Sequence, residues 1–371
     1  MKNNRKLNIL QIIPSLNSGG VERGTLEMAD YITKKGHSSY VISGGGRLVV
    51  NLLENGSTHI KLNIGKKSIF TFFLIPKLIS IIVNRNIDIV HVRSRFPAWI
   101  VYIGLKFIKK SKRPHFITTV HGYNSVSLYS KIMLMGDKVI VVSKSLLDFL
   151  KNNYAFDKKK TILIYRGVPK NLIIKKNSQF NAWKKNWLQN FKINKSSKIL
   201  LLPTRISRHK GIEFFLDLIL KLKMQKINVK AFIVGDAKSL SYLNQVKKKI
   251  RKFDLENEVY LTGYCPDIYK IMSISNITFS LSTLPEAFGR IAIESIKIGT
   301  PVIGFSHGGV GEQLELIFPE GIVKDFDTQE LFDKTKKFLK TPPNIKPTRL
   351  FTLESMQKKT LDVYKSFNNY L

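Results

Sequence analysis

Short apolar runs rich in β-branched residues alternate with helical stretches along almost the whole chain, and the alternation is run through twice. Residues 7–13, 39–43, 87–91, 116–120, 138–142 and 161–164 form the first set of expected strands, and 198–202, 229–234, 259–262, 277–280 and 301–305 the second. Such runs are buried on both faces, and a parallel sheet covered by helices is the arrangement that buries them. Helices are expected after Gly20, near Ser68, near Arg95 and at Ser143, the last with Ser143 or Ser145 as N-cap. The fold class is therefore α/β, with doubly wound parallel sheets. At 371 residues the chain exceeds what one core organises, and its 43% of hydrophobic residues can fill two. The two domains are expected at 1–180 and 181–345, followed by a terminal segment, 346–371, whose residues from 352 on read as a helix. Residues 169–198 carry eight lysines and no acid, with Trp183 and Trp187 on a short helix, and read as the interdomain connection. Ligands of open parallel sheets sit beyond the C-terminal strand ends, so the loops of both halves are expected to face a cleft.

Residues 285–312 concentrate the chemistry. Glu286 stands just before an apolar helix expected over 288–298, and Glu294 lies inside it. Gly299 supplies a left-handed stop, and Pro301 cannot continue the helix. Free backbone N–H groups at the first turn of such a helix suit a phosphate or carboxylate. Gly308-Gly309 would let a second ligand approach backbone amides. Each piece has a plainer reading: Arg290 and Glu294 form a surface ion pair, and the glycines make a turn. In this order the pieces describe a ligand site built from strand ends and helix N-termini.

The block resembles the donor-binding signature of retaining GT-B glycosyltransferases of family 4, in which Glu, seven residues and Glu precede Gly-x-Pro-Val-Ile and Gly-Gly-x-x-Glu. Gly19-Gly20-Val21-Glu22-Arg23 is similar to that family's first glycine loop, and Asp88-Ile89-Val90-His91-Val92-Arg93-Ser94 to its strand ending in a polar cluster. Thr119-Val120-His121-Gly122, Val142-Ser143-Lys144-Ser145, Arg205-Ile206-Ser207-Arg208-His209-Lys210-Gly211, Ile233-Val234-Gly235-Asp236 and Leu261-Thr262-Gly263-Tyr264 follow in the family's order. The resemblance implies two Rossmann-like domains facing a cleft, the first on the acceptor side and the second binding a nucleoside-diphosphate sugar of UDP or GDP type. It also implies a terminal helix that crosses back to the first domain. Arg205 and Lys210 would neutralise the leaving diphosphate, Glu294 would grip the ribose, and Glu286 would face the donor sugar with His121 opposite. The backbone of Gly308, Gly309 and Val310 would help seat the phosphates or sugar, and Gly19 and Gly20 would bring the acceptor-side loop near the diphosphate. If attack is from the same face, the leaving phosphate is the base and no protein nucleophile is needed. Two departures stand out: Arg166-Gly167-Val168 replaces the usual Asn-Gly-Val, and His209 stands where a neutral or acidic residue is common.

The implied activity is sugar transfer to a glycan or lipid-linked acceptor in cell-envelope polysaccharide or lipopolysaccharide synthesis. Two readings compete with it: a non-catalytic nucleotide-sugar-binding module, and a basic nucleic-acid-binding protein. The second rests on charge alone and lacks an aromatic RNA-binding signature or helix-turn-helix pattern, so no nucleic-acid partner is expected. Neither an Asp-x-Asp pattern nor a Cys/His ligand cluster is present, so no essential metal or cofactor is expected. The single cysteine, Cys265, favours a reducing compartment, and no run reads as a secretory signal or membrane span. The net charge of +35 favours anionic partners, although 48 lysines against 13 arginines, with many Asn and Ile, also fit a compositional bias. Apolar residues from Ile69 to Ile79, flanked by Lys66, Lys67 and Arg85, together with Leu105 to Arg113, read either as a docking face for an anionic bilayer or as core helices with solvated ends. A cytoplasmic protein, peripheral on the inner face of the plasma membrane in the first reading, is the expectation.

Overall fold

The computed structural model describes residues 5–367 apart from 18, 156, 171, 173, 195 and 238. Its contacts divide the chain into two compact units, one made of the chain up to Arg166 and the segment from Leu353 on, the other of Gly167–Thr352.

Among the described residues the first unit holds a seven-stranded parallel sheet: β1 (Asn8–Ile12), β2 (Ser38–Ser43), β3 (Thr58–Lys61), β4 (Ile89–Val92), β5 (His115–Val120), β6 (Lys138–Val141) and β7 (Thr161–Leu163), in the order β3-β2-β1-β4-β5-β6-β7. Its helices are α1 (Gly20–Lys34), α2 (Val49–Glu54), α3 (Ile75–Asn84), α4 (Arg95–Lys106), α5 (Leu128–Lys131) and α6 (Lys144–Asn153). In α1 the residues Gly24, Thr25, Met28, Ala29 and Ile32 are buried, a stripe at helical spacing that turns to the sheet. Ser143 caps α6, its Oγ accepting from Leu146 N at 3.2 Å, whereas the Ser145 hydroxyl bonds the Tyr123 hydroxyl. Ser68 starts a 3-10 turn, Ile69–Leu74, rather than an α-helix, and α3 follows with Pro76 in its first turn, where no N–H partner is needed.

The second unit opens with α7 (Ser178–Asn190) and holds a six-stranded parallel sheet: β8 (Lys198–Leu202), β9 (Val229–Val234), β10 (Val259–Gly263), β11 (Ile277–Ser280), β12 (Val302–Phe305) and β13 (Ile322–Val323), in the order β10-β9-β8-β11-β12-β13. Helices α8 (Ile212–Met224), α9 (Leu240–Lys252), α10 (Ile268–Ile274), α11 (Arg290–Ile298), α12 (Gly308–Ile317) and α13 (Thr328–Lys340) surround it. Phe215, Phe279, Phe305 and Leu314 anchor one face of the sheet. On the other face Trp187 lies 4.4 Å from Phe232 between ring centroids, and Phe191 lies 5.1 Å from Tyr260. The segment expected as a connection therefore contributes, through α7, to the second unit's own core. The last helix, α14 (Leu353–Lys365), sends Met356, Leu361 and Tyr364 into a core shared with Leu7, Ile9, Met28 and Ile117 of the first unit.

Two strands had no counterpart in the apolar runs, β3 and β13, and both lie at sheet edges. An edge strand is solvated along one side and needs little apolar sequence; Thr58-His59-Ile60-Lys61 is only partly covered, and β13 has two residues. In each sheet the strand order reverses beside the first strand, between β1 and β4 and between β8 and β11. These are the points where adjacent crossovers diverge and loops leave an opening at the C-terminal strand ends.

Candidate functional site

In the second unit the loops after β8 and β11 meet at that opening. The loop after β8 is held on two sides: Ile206 N donates to Asp236 O at 2.9 Å, and Thr283 N donates to His209 O at 3.0 Å. Gly211 ends it at φ +70° and heads α8. Lys210 Nζ thereby reaches Glu286 Oε1 at 2.6 Å, with side chains only 26% and 21% exposed, and Ser282 Oγ donates to the same oxygen. Burial on its own would raise the Glu286 pKa; the Lys210 charge, hydrogen bonds from Lys210 and Ser282 and the nearby Arg205 charge outweigh it and hold the carboxyl below its usual range. Arg205 itself is exposed. The result is a carboxylate and two cations at the mouth of a parallel sheet, on a loop tied to its neighbours by backbone hydrogen bonds.

Glu294 is buried, 7% exposed, and its Oε1 accepts from Tyr269 OH and from Arg290 Nε, each at 3.0 Å. The Arg290 pair expected from the spacing is present, but inside rather than on the surface. Gly299 closes α11 at φ +90°, the expected left-handed stop. Gly308, at φ +65°, and Gly309 begin α12, and the element they allow close is the chain itself. A Cβ on Gly309 would lie 2.5 Å from Ala287 O, and Gly309 N already donates to Glu286 O at 2.7 Å. Val310 is buried beside them. His307 adds a bracket that sequence reasoning missed: its Nε2 lies 2.9 Å from Ser282 O and its Nδ1 3.0 Å from Asp325 Oδ1, tying the end of β12 to the Glu286 loop. Nothing in the local pattern of His307 announces this, since its partners lie 25 and 18 residues away.

In the first unit the polar groups collect at the equivalent sheet edge. Gly19 precedes α1 and Gly20 opens it; Arg166, unusual by the family pattern, donates from NH2 to Gly20 O at 2.7 Å and approaches Glu27 at 3.8 Å. His91 is fully buried between Tyr364 OH and Thr119 Oγ1, 2.6 Å from each. Arg93 donates to Gln11 Oε1 at 2.8 Å and points NH1 toward His121 Nε2 at 3.5 Å.

These motifs recur in known proteins. The family described as glycosyl transferases group 1 matches residues 184–350, and that described as glycosyltransferase family 4 matches residues 18–172. A solved glycosyltransferase from Rickettsia africae ESF-5 is 32% identical and superposes with a TM-score of 0.84 over 97% of this chain and 98% of its own. The chain belongs to the group 1, family 4 glycosyltransferases of GT-B fold. This glycosyltransferase is also 24% identical over 321 residues, 81% of its length and 79% of the other's, to the N-acetyl-alpha-D-glucosaminyl L-malate synthase of Bacillus anthracis. It shares its fold with Anabaena Alr3699/HepE, solved in complex with UDP and glucose, at 18% identity and a TM-score of 0.81 over 97% of this chain and 100% of that one.

The glycosyltransferase also carries a built-in acid sensitivity. Burial, then the charge of Arg93, pushes the His91 pKa well below 6.5, and burial followed by the charges of Arg166, Arg93 and His91 does the same to His121. Both imidazoles stay neutral in the folded protein while the unfolded chain takes up their protons below about pH 6.5. The contribution of these two histidines to stability is therefore full above that pH and is expected to fall as the pH drops beneath it, by up to about 1.4 kcal/mol per pH unit for each. Urea unfolding between pH 7 and pH 5 should show this slope, and His121→Asn should make it shallower; an unchanged slope in that variant contradicts the assignment.

Proposed function

We propose that this glycosyltransferase is a retaining enzyme that moves a sugar from a nucleoside-diphosphate sugar, of UDP or GDP type, to a glycan or lipid-linked acceptor in cell-envelope polysaccharide or lipopolysaccharide synthesis. The observation that carries the reading is the Lys210–Glu286 pair with Arg205 beside it, at the switch point of the second sheet. A diphosphate arriving there meets the guanidinium fork of Arg205 and the mobile ammonium of Lys210. Release of Lys210 toward the phosphates frees Glu286 for the hydroxyls of the donor sugar or for the positive charge that develops at its anomeric carbon. Glu294 is assigned to the ribose hydroxyls, and the backbone of Gly308, Gly309 and Val310 to the phosphates or sugar. From the first unit, His121 is assigned to the donor sugar and the Gly19-Gly20 loop to the neighbourhood of the diphosphate. In same-face transfer the acceptor oxygen bonds to the anomeric carbon as its bond to the diphosphate breaks. The acceptor proton passes to the departing phosphate oxygen, so no protein nucleophile is required.

A thermal-shift panel of UDP- and GDP-sugars at moderate salt tests the donor, because a ligand stabilises only the state that binds it. One nucleotide sugar should raise the midpoint selectively and, with an acceptor, release its nucleoside diphosphate while forming a glycoside that keeps the donor's anomeric configuration. Binding with no turnover toward any acceptor would favour the non-catalytic module, and an inverted product would remove the retaining assignment.

A peripheral position on an anionic membrane is part of this reading. Ile69, Phe70, Phe73 and Phe107 are 73–78% exposed, and a groove of about 650 Å³ opens between α3 and the end of α4 along Ile75, Ile79 and Val83. Lys66, Lys67, Lys77, Lys106, Lys109 and Lys110 are exposed around it, and Asp88 is the sole acid between Glu54 and Asp137. Apolar insertion and attraction of about 1 kcal/mol per basic residue near an anionic surface act together here. No helix among the described residues is long and apolar enough to cross a membrane. The protein should sediment with phosphatidylglycerol vesicles and not with phosphatidylcholine vesicles, and Phe70→Ser with Phe73→Ser should cut the bound fraction about tenfold. Equal sedimentation of that variant would sink the docking face.

A further inference from the structure

We infer that Tyr364, on the last helix, is a positioning residue for sugar transfer: through His91 and Arg93 it fixes the ring orientation and the tautomer of His121. The observation behind this is a row of polar side chains inside an apolar core. Side chains alternate along a strand, so His91 and Arg93 leave β4 and its end on one face of the sheet. Ile117 is in register with His91, so Thr119 and His121 leave β5 and its end on that same face. Helices α1 and α14 cover it with Met28, Ile32, Met356 and Tyr364. Gln11, His91, Thr119 and Tyr364 are at most 2% exposed.

The hydrogen bonds in this row have a direction. Burial raises the pKa of the Tyr364 phenol and the Arg93 charge offsets only part of the rise, so the hydroxyl keeps its proton. Its oxygen accepts from Arg93, and its O–H donates to His91 Nδ1 at 2.6 Å. His91 is neutral, so its one N–H is on Nε2 and donates to Thr119 Oγ1 at 2.6 Å. The charge of Arg93 is met by the Tyr364 oxygen and by Glu27, and its guanidinium is aimed by two further bonds, NH2 to Gln11 Oε1 at 2.8 Å and NH1 to His121 Nε2 at 3.5 Å. A guanidinium has donors only, so Nε2 is the bare nitrogen of His121 and the proton stands on Nδ1. Apolar residues of the same shape would stabilise such a core about as well, but hydrogen bonds also fix rotamers. Without the Tyr364 oxygen, His91 is free at one nitrogen and Arg93 loses an acceptor, so the guanidinium can turn from His121 and its proton can occupy either nitrogen.

The inference rests on the assignment of His121 to the donor sugar, and the test separates the two. In nitrogen-15 spectra of histidine-labelled protein, His121 should be the Nδ1–H tautomer in the wild type and a mixture in Tyr364→Phe. That variant should lower kcat about tenfold and change the donor KM less than about twofold. Thr119→Val, at the far end of the row, should do the same should Tyr364→Phe fold poorly, and Thr119→Ser, which keeps the hydroxyl, should restore the rate. Combined with His121→Asn, Tyr364→Phe should add no further loss, because both act through one imidazole. A full rate in both Tyr364→Phe and Thr119→Val, an unchanged His121 tautomer, or losses that multiply in the double variant overturns the inference. A full rate in His121→Asn, with a tautomer that still shifts in Tyr364→Phe, upholds the row as what orients His121 and overturns the donor-sugar assignment instead.

Discussion

Replacing Glu286 by glutamine is expected to lower the rate of sugar transfer by about 10²–10³-fold, the range seen when one preorganised electrostatic contact to a transition state is removed. The amide preserves the shape and can still accept from Ser282 and Lys210, which both reach Oε1 in the wild type, so the fold should survive. What it loses is the negative charge that Lys210 and Arg205 stabilise and that the reading assigns to the sugar. The effect should therefore fall mainly on kcat, with a smaller change in KM for the donor, because diphosphate binding by the cations remains. Glu286→Ala should behave similarly with an added loss of order in the loop. Release of nucleoside diphosphate under saturating donor measures this directly, and undiminished turnover in either variant would remove Glu286 from the chemistry.

Gly211→Ala should strongly destabilise the second unit. The residue sits at φ +70°, and its added Cβ would come within 1.8 Å of Leu281 O, at the end of the neighbouring β11. The left-handed backbone costs about 1–2 kcal/mol for a residue with a Cβ, and forcing packed backbone apart costs a further 1–3 kcal/mol. A total of about 2–5 kcal/mol lowers the melting midpoint of a domain this size by roughly 5–15 °C. Two other glycines separate the terms. At Gly263, φ +68° with nothing near the added Cβ, only the backbone cost applies, about 1–2 kcal/mol. At Gly122, next to His121, neither applies, and alanine should change stability by less than about 0.5 kcal/mol. Calorimetry of the three variants should rank them in that order; if Gly211→Ala is as mild as Gly263→Ala, the close contact with Leu281 is not limiting. Because Gly211 follows Lys210 directly, the same substitution should also displace the ammonium from Glu286 and depress activity in the fraction that folds.

The features legible in the chain are those set over a few residues. Strand after strand appears where an apolar run announces it, Gly299 takes the left-handed stop, and Ser143 caps its helix, because periodicity, φ preference and capping act within one turn or one strand. The edge strands β3 and β13 were missed because solvated edges do not demand apolar residues. Glu286, Lys210 and Glu294 could be singled out by motif, but the partners of Glu294 could not all be. Tyr269 precedes it by 25 residues on another helix, and the hydroxyl reaches Oε1 only because α10 and α11 pack side by side.

The amino-acid sequence by itself determined the class of fold, the twofold run of parallel strands and the order of the loops that carry acids and cations, since each follows from local patterning. Tertiary structure alone decided which of those groups touch. Lys210 meets Glu286 across 76 residues, and His91 meets Tyr364 across 273. Gly308 and Gly309 proved to make room for the Glu286 loop, and Arg93 and Arg166 to share one buried edge with Gln11 and Gly20. The physical reason is that burial and charge pairing depend on which strand ends a sheet brings together. That neighbourhood comes from the β8-β11 and β1-β4 pairings, which no local spacing records.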